Sequence, residues 1–154
     1  MESLKRRAPH HTNESSAVHV WLVLWKAAKA LEHTAMRSVS GLGLGLSDFA
    51  VLELLLHKGP QPVNAIGKKV LLTSGSITTA VDRLESKKLV RREGDPEDRR
   101  SRIVALSADG RRLIAGAFRK HAKDMERALE VFDRSDRTEL VHLLKKAGLS
   151  QDQH

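Results

Sequence analysis

Residues 63–107 read VNAIGKKVLLTSGSITTAVDRLESKKLVRREGDPEDRRSRIVALS. In the first part, Val63, Ile66 and Val70 recur at helical spacing with Lys68 and Lys69 left outside, which predicts a short helix. Leu71-Leu72 makes a turn, and Thr73 or Ser74 caps a second helix. In that helix Ile77, Ala80, Val81, Leu84 and Lys88 share one face; Gly75, Ser76, Thr79, Asp82, Arg83 and Ser86 share the other. So many Ser and Thr residues are poor helix formers, and an exposed face built from them calls for a reason. Residues 90–93 and 102–106 have strand character around GDPEDRRS, which predicts a hairpin with a proline turn and a basic tip. The whole stretch has the shape and charge of a surface that lies on a phosphate backbone.

Charge supports that placement. The chain has 154 residues and a formal net charge of +8, with a pI near 10.1, which points to a polyanionic partner. Between Lys58 and Arg92 stand eight Lys and Arg residues against Asp82 and Glu85, a net charge of +6. A hydrophobic content of 40% with 30% charged residues is that of a soluble globular domain, and the few aromatics leave an aliphatic core suited to helix packing. The chain has no cysteine, which excludes disulfides, zinc–thiolate sites, thiol catalysis and thiol-based redox sensing. Its eight His form no pair at helical metal-ligand spacing, so no metal site is expected. No nucleophile–base pair, carboxylate dyad or phosphate loop stands out, so neither catalysis nor a cofactor is expected. The apolar run at 18–25 is too short to span a membrane and lacks a cleavage pattern, so a soluble, cytoplasmic protein is expected.

Outward from the central stretch, residues 1–13 read as a flexible arm. From about 14 to 38 two apolar stripes share one helix: Val18, Leu22 and Trp25 in the first, and Val20, Leu24, Ala28, Leu31 and Ala35 in the second. A helix apolar most of the way round is normally buried between partners, which makes this one a subunit interface. GLGLG at 41–45 is a connector, and Ser47 caps the next helix with Leu46 and Val51 as a hydrophobic staple. Phe49, Leu52, Leu55 and Leu56 face inward there, and Gly59-Pro60 ends the helix. Ser107 caps a long helix to about residue 131, with Leu113, Ala117, Phe118, His121, Met125, Ala128 and Phe132 as its buried stripe. Ser135 starts a last helix with Leu140, Leu143, Leu144 and Ala147 inward, ended by Gly148.

The ordered series Asp82-Arg83-Leu84, Leu89-Val90, and Asp98-Arg99-Arg100 ahead of Val104-Ala105-Leu106-Ser107 resembles the MarR family of winged helix-turn-helix transcription factors, over roughly residues 15–148. The resemblance implies a mainly α fold with a small β-hairpin wing. The chain then divides into an arm (1–13), a dimerisation helix and connector (14–46), a winged helix-turn-helix (47–106), C-terminal dimerisation helices (107–148) and a tail (149–154). It implies a homodimer that regulates transcription, probing the major groove of double-stranded DNA with one helix per subunit and the minor groove with the wing. Matched residue by residue, Ser74, Ser76, Thr78, Thr79 and Arg83 sit where such regulators read or grip DNA. By the same resemblance Arg100 matches the wing-tip arginine, with Asp98 bracing it, and Arg99 and Arg102 would contact the backbone. A near-palindromic operator with half-sites ~10 bp apart follows from twofold symmetry. The resemblance further implies a repressor released by a small aromatic or phenolic effector, for which Trp25, His33 and His57 are the candidate contacts. The alternative is a winged-helix module that docks on protein without specific DNA binding.

Overall fold

A computed structural model describes residues 16–70, 72–96 and 102–149. The chain divides into two compact units, residues 1–33 and 34–154. The described part of the first unit is most of helix α1 (Ala17–Val39), whose last six residues belong to the second. Val18, Val20, Trp21, Leu22, Val23, Leu24 and Trp25 of this helix are all exposed, so the first predicted stripe is exposed throughout, while Leu31 and Ala35 at the end of the second are half-buried.

The second unit continues through a 3-10 turn (Ser40–Leu42) to α2 (Leu46–Lys58), β1 (Gln61–Pro62), α3 (Val63–Lys69) and α4 (Ser74–Ser86). There follow β2 (Val90–Gly94), β3 (Arg102–Leu106), α5 (Ala108–Ala128) and α6 (Arg134–Leu149). The strands form one antiparallel sheet in the order β1-β3-β2, with Val90 opposite Leu106 and Gly94 opposite Arg102. The hairpin β2–β3 is the wing. The strand β1 escapes the sequence reading because a two-residue edge strand ending in proline carries no alternation to detect.

One core joins α2, α3, α4, the sheet and α5. Phe49, Val51, Leu52 and Leu55 of α2, Ile66 of α3, Ile77, Ala80, Val81 and Leu84 of α4, Val90, Val104 and Leu106 of the sheet, and Ile114 and Ala117 of α5 are all buried in it. Only Ala117 of the predicted α5 stripe is buried, at 8% exposure; Ile114, absent from that stripe, is at 0%. Four local expectations are corrected. Gly45, not Ser47, is the N-cap of α2; this moves the staple positions to Leu44 and Phe49, both core residues. Lys88 does not continue the α4 face: the helix stops at Ser86, and Lys88 takes a left-handed φ of 60° to turn the chain into the wing. Asp133, not Ser135, caps α6, accepting from Asp136 N at 2.9 Å while Asp136 Oδ2 accepts from Asp133 N at 3.2 Å. That helix runs through Gly148, and Leu140, Leu143 and Leu144, expected inward, are exposed. Their apolar spacing is regular, but among the described residues none buries them.

The start of α5 is tied closely to the end of the α4 turn. Ser107 donates from its backbone N to Leu89 O (3.0 Å) and from Oγ to Lys88 O (2.7 Å), while Oγ accepts from Gly110 N (2.9 Å). Gly110 faces Leu89 so closely that a Cβ there would stand 1.9 Å from the Leu89 carbonyl oxygen. Glycine is required here for close approach of two backbones.

Candidate nucleic-acid interface

α3 and α4 make the helix-turn-helix. Thr73 is the N-cap of α4, its Oγ1 accepting from Ser76 N at 3.2 Å and donating to Ser76 Oγ at 2.9 Å. With Ile77, Ala80, Val81 and Leu84 locked in the core, the opposite face is fixed outward. Ser74, Gly75, Ser76, Thr78, Thr79, Asp82 and Arg83 are all exposed on it, so five of the sequence-predicted contacts share one surface. Thr78 Oγ1 donates to Ser74 O at 2.9 Å and Thr79 Oγ1 to Gly75 O at 3.0 Å. These bonds settle how helix-averse threonines sit mid-helix, by back-bonding to the carbonyl four residues earlier.

Arg83 is partnered in a way its sequence neighbourhood does not suggest. Its Nη2 donates to Asp48 Oδ1 at 2.6 Å and its Nε to Oδ2 at 3.3 Å, a bidentate pair between α4 and the first turn of α2. Asp48 is 3% exposed while the Arg83 side chain is 46% exposed, so the pair has one buried and one wet end. The hydrogen bond to Asp48, and then its charge, raise the Arg83 pKa further above its ordinary value. Arg92 of β2 donates to Asp82 and to Glu85 of α4, both at 2.5 Å, tying wing to recognition helix. Partial burial works against its charge, but the hydrogen bonds and charges of Asp82 and Glu85 outweigh it and its pKa is raised. Arg91 pairs with Glu93, and Lys87 donates to Gly43 O. The basic window is thus more compensated than counting between Lys58 and Arg92 suggests, since Asp48 and Glu93 lie outside it.

Arg102 opens β3 opposite Gly94 and is exposed at the loop end of the wing. Asp98, Arg99 and Arg100 lie outside the described residues. Of the three candidate effector contacts, Trp25 and His33 stand eight residues apart on α1, both exposed. His57, at the end of α2, is exposed too and meets the Phe118 ring edge-on, centroids 4.7 Å apart. Sequence reasoning missed a depression of about 430 Å³ between the end of α1 and α5, lined by Arg37, Ser38, Lys120, Asp124 and Arg127 among others. Its cations are spread over residues 37–127, so no local run of charge announces it. Among the described residues no group of His, Asp and Glu is placed to hold a metal ion. No single helix there is long and apolar enough to cross a membrane.

A three-helix unit whose third helix, α4, is polar outward, closed by a β-hairpin, is a winged helix-turn-helix, a DNA-binding architecture. The MarR family model matches residues 44–101 of the chain. The HTH-type transcriptional regulator MhqR of Bacillus subtilis (strain 168) is 36% identical over 137 residues, which span 89% of this chain and 94% of the relative. Two solved structures share the fold. AbsC, a MarR family transcriptional regulator from Streptomyces coelicolor, superposes with a TM-score of 0.82 at 19% identity, over 90% of this chain and 97% of that one. Bordetella bronchiseptica BpsR, whose structure concerns regulation of its DNA binding by 6-hydroxynicotinic acid, gives 0.75 at 23% identity over 84% and 98%. The chain belongs to the MarR family and is a DNA-binding transcriptional regulator.

Proposed function

We propose that the chain is a homodimeric repressor that inserts α4 of each subunit into successive major grooves of a near-palindromic operator and leaves it when a small aromatic acid binds. The observation that carries this reading is the division of α4: a core face of Ile77, Ala80, Val81 and Leu84, and an exposed face of Ser74, Ser76, Thr78, Thr79 and Arg83 with no large apolar side chain. A protein-docking helix would expose an apolar face instead. In this reading Arg102 and Arg99 contact the backbone, and Arg100 enters the minor groove with Asp98 as its brace.

Dimerisation is supported by the uncovered apolar residues of α1 and, separately, of α6, where Leu140, Val141, Leu143 and Leu144 are exposed. The effector site is inferred to include the depression between α1 and α5, because Arg37 and Arg127, beside the paired Lys120 and Asp124, leave its lining net cationic and suited to a carboxylate. Exposed Trp25 and His33, in the first unit, and His57, in the second, remain secondary candidates for effector contact.

The test is selection of bound sites from random duplex DNA, followed by anisotropy titrations across salt. A palindromic consensus is expected, with affinity falling by orders of magnitude from low to moderate salt as counterions are released. Arg100→Ala is expected to cost ~1–3 kcal/mol of operator binding. Aromatic carboxylates should then dissociate the complex in wild type and fail in Arg37→Ala/Arg127→Ala. A selection that returns no consensus refutes the reading.

A further inference from the structure

The first two turns of α4 present a reading surface without a cation or an amide. Their exposed residues are Ser74, Gly75, Ser76, Thr78 and Thr79. In the major groove, guanine offers two acceptors, N7 and O6, usually met by paired donors from Arg or Lys. Adenine offers an amino donor at N6, and thymine a methyl group.

The threonines are committed. A hydroxyl has one proton, and Thr78 and Thr79 give theirs to Ser74 O and Gly75 O. What each presents outward is a methyl group, the complement of a thymine methyl, and an oxygen lone pair that accepts from adenine N6–H or cytosine N4–H, so the methyl alone distinguishes A·T. Neither has a donor left for guanine. The cation next along the helix, Arg83, lies a full turn past Thr79 and gives Nε–H and one Nη2–H to Asp48. The guanidinium of Arg92, across on the wing, is held by Asp82 and Glu85.

We propose that the N-terminal half of α4 selects A·T pairs, and that Thr78 and Thr79 set this preference by packing their methyl groups on thymine methyls and accepting from adenine N6. The inference rests on α4 being the groove-entering helix, and it adds which bases that helix favours.

The chain has no cysteine, so Ser86→Cys carrying an iron–EDTA cleavage reagent marks the base pairs beneath α4 on the selected operator. At those positions each thymine is replaced by deoxyuridine, which removes the methyl group alone. Binding is expected to weaken about fourfold per contacted methyl, the worth of one buried CH₂ of ~0.8 kcal/mol at 1.4 kcal/mol per tenfold. Thr78→Ser or Thr79→Ser, which keeps the hydroxyl, should abolish that sensitivity at its own position. Thr78→Val or Thr79→Val, which keeps a methyl and loses the oxygen, should retain it. Guanine beneath this half of α4, with binding blocked by N7 methylation, overturns the proposal and leaves α4 as the reader. Deoxyuridine tolerated at every marked position overturns it too. Selection without a consensus overturns both the proposal and the groove-entering role on which it rests.

Discussion

Replacing Gly110 by Ala places a methyl carbon 1.9 Å from the Leu89 carbonyl oxygen and 2.8 Å from its carbonyl carbon. Both neighbours are backbone, so no flexible side chain can swing aside. Relief requires the N-terminus of α5 to move off the Leu89 turn by more than 1 Å, on the order of the gap up to normal van der Waals contact. That movement breaks the bond from Ser107 N to Leu89 O and disturbs the Ser107 cap. Overpacking of ~1–3 kcal/mol, a cap of ~1 kcal/mol and a backbone hydrogen bond of ~1 kcal/mol oppose a gain of ~1 kcal/mol from replacing a helical glycine, a net loss of about 2–4 kcal/mol. Gly116 on the same helix is the internal control, since its added Cβ meets only Arg119 Nη2 at 3.9 Å. Gly116→Ala should gain ~0.5–1 kcal/mol. Urea unfolding followed by circular dichroism, at one fixed protein concentration because association adds to stability, separates the two. A Gly110→Ala protein as stable as wild type, with unchanged m-value, refutes the close-approach argument.

Asp48→Ala and Arg83→Met, combined in a double-mutant cycle of urea stability, should show a coupling of ~1–2 kcal/mol, kept low because the Arg83 end is half exposed; additivity would mean the pair contributes nothing. The hydrogen bond from Lys120, followed by its charge, holds the Asp124 carboxyl below the ordinary carboxylate range. A depressed carboxylate stabilises the fold above its unfolded pKa of ~3.9 and loses that contribution as pH falls through the folded value. Asp124→Asn should therefore flatten the stability profile only at acid pH, and an unchanged profile would deny the shift. Leu143→Glu, placed on an exposed apolar face of α6, should move the protein toward monomer in sedimentation equilibrium and weaken operator binding in parallel; a dimer of undiminished affinity would put the interface elsewhere.

The recognition helix was legible because one period carried it: Ile77, Ala80, Val81 and Leu84 can share a face only in a helix, and that fixes the outward position of Ser74 to Arg83. The same rule overran at Lys88, since periodicity does not see the left-handed turn that stops the helix. Apolar stripes in α1 and α6 were equally plain, but spacing tells only that a face wants cover, not that the same chain supplies it. Pairings across sequence distance were invisible. Nothing near Arg83 names Asp48, 35 residues away, and nothing near Gly110 shows that Leu89 will press on it. The hydroxyl commitments of Thr78 and Thr79 lie between these cases, because back-bonding is a local option that only the rotamer decides.

Those unforeseen pairings bear on where regulation can act. Arg92 clamps the wing to α4 through Asp82 and Glu85. Arg83 clamps α4 to α2 through Asp48. Ser107 and the glycine approach at Gly110 lock the start of α5 to the turn that follows α4. Three separate braces thus make α2, α4, the wing and the head of α5 one body, and distorting α4 alone would mean breaking a bidentate charge pair or a backbone junction. The proposed effector depression, with Arg37 and Arg127 in its lining, lies away from these braces, against the far part of α5. The effector's accessible lever, in the proposed dimer, is the path of α5 and hence the spacing between two rigid reading heads. An operator series with half-site spacing lengthened or shortened by one base pair tests this. If spacing is the lever, effector should shift the preferred length; if effector weakens every spacer equally, the braces within the head yield instead.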